Sequence, residues 1–168
     1  SFYVDNGVFS KGALDFGTRT LLENLAIETI KGQVLDFGCG YGPIGIYVAK
    51  NTKAKVDMID INQRSLKLAQ KNIGLNKVKA EVFESNIYDN VTKTYDYIIT
   101  NPPIRVGKKI LYQILFEAKE HLKPNGELWL VVNKDQGAKT IVRDLSLSYK
   151  TTVVAKNKGF YIIKAIKY

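Results

Sequence analysis

The chain has 168 residues, 45% of them hydrophobic, which is enough for one fully formed core in a single domain. Lysine and arginine outnumber aspartate and glutamate 25 to 16, and the net charge of +9 suits an acidic partner such as nucleic acid. The single cysteine excludes an internal disulfide, the absence of any run of about 18 apolar residues excludes a membrane-spanning helix, and no signal peptide is read at the N-terminus, so a reducing, cytoplasmic setting is expected.

In chain order, residues 1–30 read as an N-terminal cap and helix, and residues 31–168 as the core of one domain. Short extended pieces, Phe2-Tyr3-Val4 and Val8-Phe9, are broken by Asn6-Gly7. The helix is expected over residues 18–27, where Leu21, Leu22, Leu25 and Ala26 share a face. A strand over 33–37 runs into the tight turn Gly38-Cys39-Gly40-Tyr41-Gly42, and a helix over 43–50 begins with Pro43, whose missing N–H costs nothing there. The second strand, 55–60, ends on Asp60. Asn62 can cap a helix over 63–73, with Leu66, Ala69 and Ile73 facing inward.

A third strand over 79–84 precedes Asn86-Ile87, and a fourth over 95–100 precedes Asn101-Pro102-Pro103-Ile104. The next helix is expected over 108–122, with Ile110, Ile114, Ala118 and Leu122 in one row. Pro124-Asn125-Gly126 turns the chain into a fifth strand over 127–132. A short helix over 137–146 follows, then strands over 149–156 and 160–167 joined by the hairpin signal Asn157-Lys158-Gly159.

Alternating strands and helices predict an α/β fold. The expected form is a Rossmann-like, doubly wound sheet of seven strands, mostly parallel, with one antiparallel strand near the C-terminus. Ligands of such sheets bind beyond the carboxyl ends of the strands. The glycine turn, Asp60, Asn86 and Asn101 all fall at those ends, which argues for a single site.

Asn101-Pro102-Pro103 cannot continue a strand or start a helix, because each proline lacks an N–H and Pro103 also restricts Pro102. The result is a stiff loop that offers an amide side chain and free carbonyls, acceptors suited to the two hydrogens of an amine. Gly40-Tyr41-Gly42-Pro43-Ile44-Gly45 matches dinucleotide-binding spacing, but Asp36 precedes the glycines and no hydride-transfer pair is apparent. Asp60 suits either two ribose hydroxyls or the start of the following helix, and Asn86-Ile87 suits either an adenine or an ordinary turn. Cys39 reads as a small turn residue and His121 as a helix-terminal or packing residue. No Cys/His/Asp cluster has metal-ligand spacing, so no metal is expected.

These features resemble those of the class I S-adenosylmethionine-dependent methyltransferases over nearly the whole chain. Leu35-Asp36-Phe37-Gly38-Cys39-Gly40-Tyr41-Gly42 resembles the first motif of that family. Leu122-Lys123-Pro124-Asn125-Gly126 resembles the turn before its fifth strand, and Asn101-Pro102-Pro103 the signature of members that methylate amines on planar groups. Gly7-Val8-Phe9-Ser10 and Leu14-Asp15-Phe16-Gly17-Thr18 narrow the likeness to the small-subunit ribosomal RNA guanine 2-amino methyltransferases. Larger members of that group carry a second, degenerate copy of the domain.

The resemblance implies S-adenosylmethionine as cofactor. Gly38, Gly40 and Gly42 would lie against it, with Asp36 near its methionine end, Asp60 on ribose, and Asn86 and Ile87 beside adenine. Asn101 and the Pro102 carbonyl would accept hydrogen bonds from the target amine, with Pro103 stiffening the loop. Thr18 and Phe9 would close the pocket. Ile104 stands where the wider family often has an aromatic residue. It can pack on a base but forgoes stacking of about 1–3 kcal/mol. Arg105, Lys108 and Lys109 make a basic rim beside the site. Residues 134–168 add eight basic side chains (Lys134, Lys139, Arg143, Lys150, Lys156, Lys158, Lys164, Lys167) against Asp135 and Asp144.

The expected partner is ribosomal RNA or the small ribosomal subunit, with a monomer as the default state. The same grip would serve an adenine in DNA or RNA or a protein glutamine amide. The basic C-terminal segment argues against a protein acceptor, and the lack of a target-recognition domain against sequence-specific DNA. An inactive nucleic-acid-binding module on this scaffold is the non-enzymatic alternative.

Overall fold

A computed structural model describes residues 13–103 and 106–168, with side chains described from residue 16 onward. Seven strands, β1 (Gln33–Phe37), β2 (Lys55–Asp60), β3 (Glu81–Glu84), β4 (Tyr95–Thr100), β5 (Leu122–Asn133), β6 (Lys150–Asn157) and β7 (Phe160–Ile166), form one sheet. Their order across the sheet is β3-β2-β1-β4-β5-β7-β6. The first five strands run parallel, and β7 is antiparallel to both of its neighbours, β5 and β6. Parallel neighbours need a crossover, and the helices α2 (Pro43–Asn51), α3 (Gln63–Leu75) and α4 (Gly107–Glu117) supply those from β1 to β2, β2 to β3 and β4 to β5, while α1 (Ala13–Asn24) precedes β1 and α5 (Ala138–Leu145) leads into β6.

Alternation along the strands sorts the core into two layers. Leu35, Phe37, Ile98, Leu128, Leu130 and Val132 face α4 and α5, packing with Leu115 and Ile141. Val34, Met58, Ile99, Trp129 and Val131 face the other way, with Leu21 of α1, Ile46 of α2 and Ala69 of α3. Central strands are therefore apolar on both sides, and α1 is part of the core packing.

Several boundaries differ from the pattern of the sequence. The first helix starts at Ala13, ahead of residue 18, and ends at Asn24. Gly17 does not break it. A Cβ there would lie 3.1 Å from the Phe160 ring, so the glycine makes room for β7. The fourth helix ends at Glu117, and residues 118–121 tighten into a 3-10 turn. Extended chain begins at Leu122, because Pro124-Asn125 forms a bulge within β5: Tyr95 pairs with Leu122, and Tyr97 already pairs with Glu127. The left-handed Asn125 (φ 65°) donates its N–H to the Lys167 carbonyl, and the Lys167 N–H returns to the Gly126 carbonyl. The fifth helix is preceded by a 3-10 turn, Lys134–Gln136, and the third strand is short, beginning at Glu81.

Candidate active site

The carboxyl ends of β3, β2, β1 and β4 lie side by side and span about 15 Å at ordinary strand spacing. At the end of β1, Gly38 and Gly40 adopt left-handed φ of 69° and 56°, which a glycine takes without strain. Nothing lies within 4 Å of where a Cβ on Gly38 would sit, so the turn faces open space there. Gly42 does a different job. Its Cβ would lie 2.9 Å from Met58 Cε, so this glycine lets the turn pack against β2. Asn72 of α3, a residue with no signal in the sequence pattern, donates its side-chain amide to the Tyr41 carbonyl and ties the helix to the turn.

Asp60 ends β2 with one carboxylate oxygen accepting from the Gly40 N–H and the other from the Asn62 N–H, both at 2.9 Å. It anchors the glycine turn and remains partly exposed, with lone pairs free for hydroxyl donors. Asn62, as its sequence position predicts, caps α3 by accepting from the Ser65 N–H at 3.1 Å. Beyond β3, Asn86 is exposed and Ile87 is held at φ 55°, with its carbonyl accepting from the Ser85 hydroxyl at 2.9 Å. A β-branched residue in that region is strained, and here the strain fixes where the side chain stands.

Asp36 is fully buried. One oxygen accepts from the Gly45 N–H at 2.9 Å, and the other has no partner. Burial pushes its carboxyl up to about 7, the Gly45 hydrogen bond holds it back, and the charge of Asp60 adds to the rise. Its orphaned oxygen, the open face of Gly38 and the exposed lone pairs of Asp60 form a cradle that fits a cationic amine at one end and a ribose at the other.

Thr100 closes β4, its hydroxyl donating to the Phe37 carbonyl at 2.9 Å, and so fixes the ends of β1 and β4 together. Asn101 follows at once. Its side-chain N–H donates to the Thr18 hydroxyl at 3.0 Å, which turns the amide oxygen away from α1. Pro102 is buried and Pro103 exposed. Gly17 and Phe160 form the wall behind: a Cβ on Gly17 would lie 3.7 Å from the Asn101 amide nitrogen, and Phe160 packs on Phe16 at 5.6 Å. Phe160 carries no motif and is recognisable only once β7 is placed.

Lys108 and Lys109 are exposed at the start of α4, with Lys108 Nζ 5.4 Å from the Tyr112 ring. Phe9, Ile104 and Arg105 lie outside the described residues. Cys39 is buried, and burial pushes its thiol up, away from reactivity. His121 stacks on Tyr88 at 4.6 Å, a packing role. Among the described residues, no group of His, Cys, Asp and Glu is placed to hold a metal, and no helix is long and apolar enough to cross a membrane.

A glycine turn after β1, an acid at the end of β2 and this strand order define a Rossmann-like methyltransferase fold. A family model for the methyltransferase small domain matches residues 1–164, and the chain belongs to that family, with S-adenosylmethionine as its cofactor. It is 43% identical to the uncharacterized protein YbxB of Bacillus subtilis, over 99% of this chain and 86% of that one. It is 38% identical to ribosomal RNA small subunit methyltransferase C of Psychromonas ingrahamii, over 76% of this chain and 38% of that one. Among solved structures it superposes with a TM-score of 0.84 and 28% identity on the T. thermophilus 16S rRNA N2 G1207 methyltransferase (RsmC), a complex with AdoMet and guanosine. That match covers 96% of this chain and 46% of the other, so the chain spans less than half the length of these two ribosomal RNA methyltransferases.

Proposed function

We propose that the chain transfers a methyl group from S-adenosylmethionine to the exocyclic 2-amino group of a guanine in ribosomal RNA. The observation that carries this reading is the Asn101 amide. Its nitrogen is engaged by Thr18, and its oxygen is left as the acceptor, at the residue before Pro102. The likeness to proteins named as ribosomal RNA methyltransferases, one of them in complex with guanosine, supports guanine as the acceptor base.

When bound, S-adenosylmethionine supplies a methyl group already activated on a sulfonium, so the chain need not provide a nucleophile. Asp60 would hold ribose hydroxyls, Gly38 and Gly40 would let the backbone lie close, and Asn86 with Ile87 would flank the adenine. The buried, unpartnered oxygen of Asp36 would answer the amino group at the amino-acid end. An aromatic amine is a poor nucleophile because its lone pair is shared with the ring. Acceptors from Asn101 and Pro102 draw on its two hydrogens, favour a more tetrahedral nitrogen and stabilise positive charge growing there. The proton leaves after transfer, when the nitrogen is acidic, so no strong base is required. The base must be unpaired or unstacked to reach this edge.

The test is transfer of tritiated methyl from S-adenosylmethionine to ribosomal subunits, free ribosomal RNA, DNA and protein, followed by nucleoside digestion. Label in 2-methylguanosine is the expected result, and label in adenine or glutamine would move the acceptor. Asn101→Ala should cut transfer by about a hundred- to a thousandfold, with cofactor affinity nearly unchanged by calorimetry. Full turnover by this variant would overturn the mechanism.

A further inference from the structure

The β6–β7 hairpin reaches the same edge of the sheet as Asn101. Its two-residue tip, Lys158-Gly159, has positive φ at both positions (49° and 85°), the tight turn that matches strand twist. Asn157 pairs with Phe160 across it, and Phe160 pairs with Asn133, the last residue of β5. The Lys134 N–H donates to the Gly159 carbonyl at 2.7 Å, so the tip is tied to the segment that leaves β5.

Three lysines surround this tip. Lys134 lays its aliphatic stem along Gly159, 3.6 Å from where a Cβ would sit. Lys158 Nζ lies 5.3 Å from the Phe16 ring, and Lys156 Nζ lies 4.9 Å from the Tyr161 ring. All three are exposed. Lys93 and Lys123, by contrast, sit 3.4 Å from Asp57 and Asp96. No ion pair among the described residues involves Lys134, Lys156 or Lys158, although the exposed Asp135 follows Lys134 directly. Phe16, the ring under Lys158, packs on Phe160, and Phe160 backs Asn101 through Gly17. The cationic tip is thus one side-chain layer from the acceptor amide, across β4 and β5 from the cofactor turn.

We infer that the β6–β7 tip, with Lys134, Lys156 and Lys158, is a clamp for the phosphodiester backbone that flanks the target nucleotide. This rests on the RNA reading above and adds to it where the strand is held. A rigid two-residue turn presents the charges without ordering a long loop, and the aromatic faces hold two of the ammonium groups in place. Phosphate contacts position a strand without reading its sequence.

The test is binding of a fluorescein-labelled single-stranded RNA containing one guanine, followed by anisotropy across a salt series. The tip variant is Lys134→Gln/Lys156→Gln/Lys158→Asn, the last chosen because Asn-Gly suits this turn. The control, Lys50→Gln/Lys53→Gln/Lys79→Gln, removes the same charge near the opposite edge of the sheet, where β2 and β3 begin. Single-strand contacts contribute about 0.7 each to the slope of log affinity against log salt, so the tip variant should lose about 2 from that slope and about 100-fold in affinity at 0.1 M salt. The control should stay within a fewfold of wild type. Equal losses in both variants, or no binding by wild type, would overturn the clamp. Methyl transfer to the same RNA, measured in parallel, separates the two readings. Tip-dependent binding without label in guanine would defeat the guanine assignment and leave the clamp standing.

Discussion

At Thr18 a single hydroxyl decides which way the Asn101 amide points. Without that acceptor the amide can rotate and present its N–H groups, which repel an amine's hydrogens. Thr18→Val keeps the shape and removes the oxygen. It should lower kcat by about 10- to 100-fold, in line with a lost buried hydrogen bond of about 1–3 kcal/mol, and Thr18→Ser should restore most of it. A packing role alone would give the opposite order, with Val tolerated and Ser not. Asp36 supplies a second residue-scale prediction. Its carboxyl is pushed up to about 7 when folded, against about 3.9 in an unfolded chain. The cofactor-free protein therefore holds this proton where the unfolded chain has released it, and loses stability from this group as pH rises through that window. Asp36→Asn has no such proton. Relative to wild type, it should gain about 2 kcal/mol in denaturant unfolding between pH 5 and pH 8. A difference that stayed flat across that range would mean that Asp36 is ionised at both ends.

Among the elements, α2 shows why the glycine motif is longer than its ligand needs. A Cβ on Gly45 would lie 2.7 Å from Met58 Cγ and 3.0 Å from the Asp36 carboxylate. Gly45→Ala should therefore destabilise the fold by about 1–3 kcal/mol through overpacking, with part of the loss recovered by Met58→Ala, as denaturant midpoints would report. The sequence made strands β1, β2 and β4 legible, because each is an apolar run closed by a turn signal. It also placed Asp60 and Asn101 at strand ends. It was silent on the partners that fix them. The Asn72 hold on Tyr41, the Thr18 bond to Asn101 and the Phe160 wall join residues from different elements, and no local period encodes them. Boundaries moved where tertiary contacts outweigh local preference: Gly17 lies inside α1 because Phe160 needs the space, and β5 starts before its Pro-Asn-Gly turn because Asn125 and Gly126 pair with Lys167.

For the molecule as a whole, the alternation of strands with helices was enough to anticipate a doubly wound, seven-stranded sheet. The excess of basic residues suits an anionic partner without saying which face would meet it. The strand order adds something about time. β7 follows β6 in the chain, yet it lies between β5 and β6. Until residues 160–166 emerge during synthesis, β5 is the sheet's bare edge and β6 has no neighbour to join. The β5–β7 pairings that close the sheet need the C-terminal hairpin in place, so on a growing chain they are late folding steps. Phe160 arrives with β7, so a growing chain can shape its glycine turn early while its acceptor amide still lacks a wall. The capacity to hold a cofactor should precede the capacity to use it.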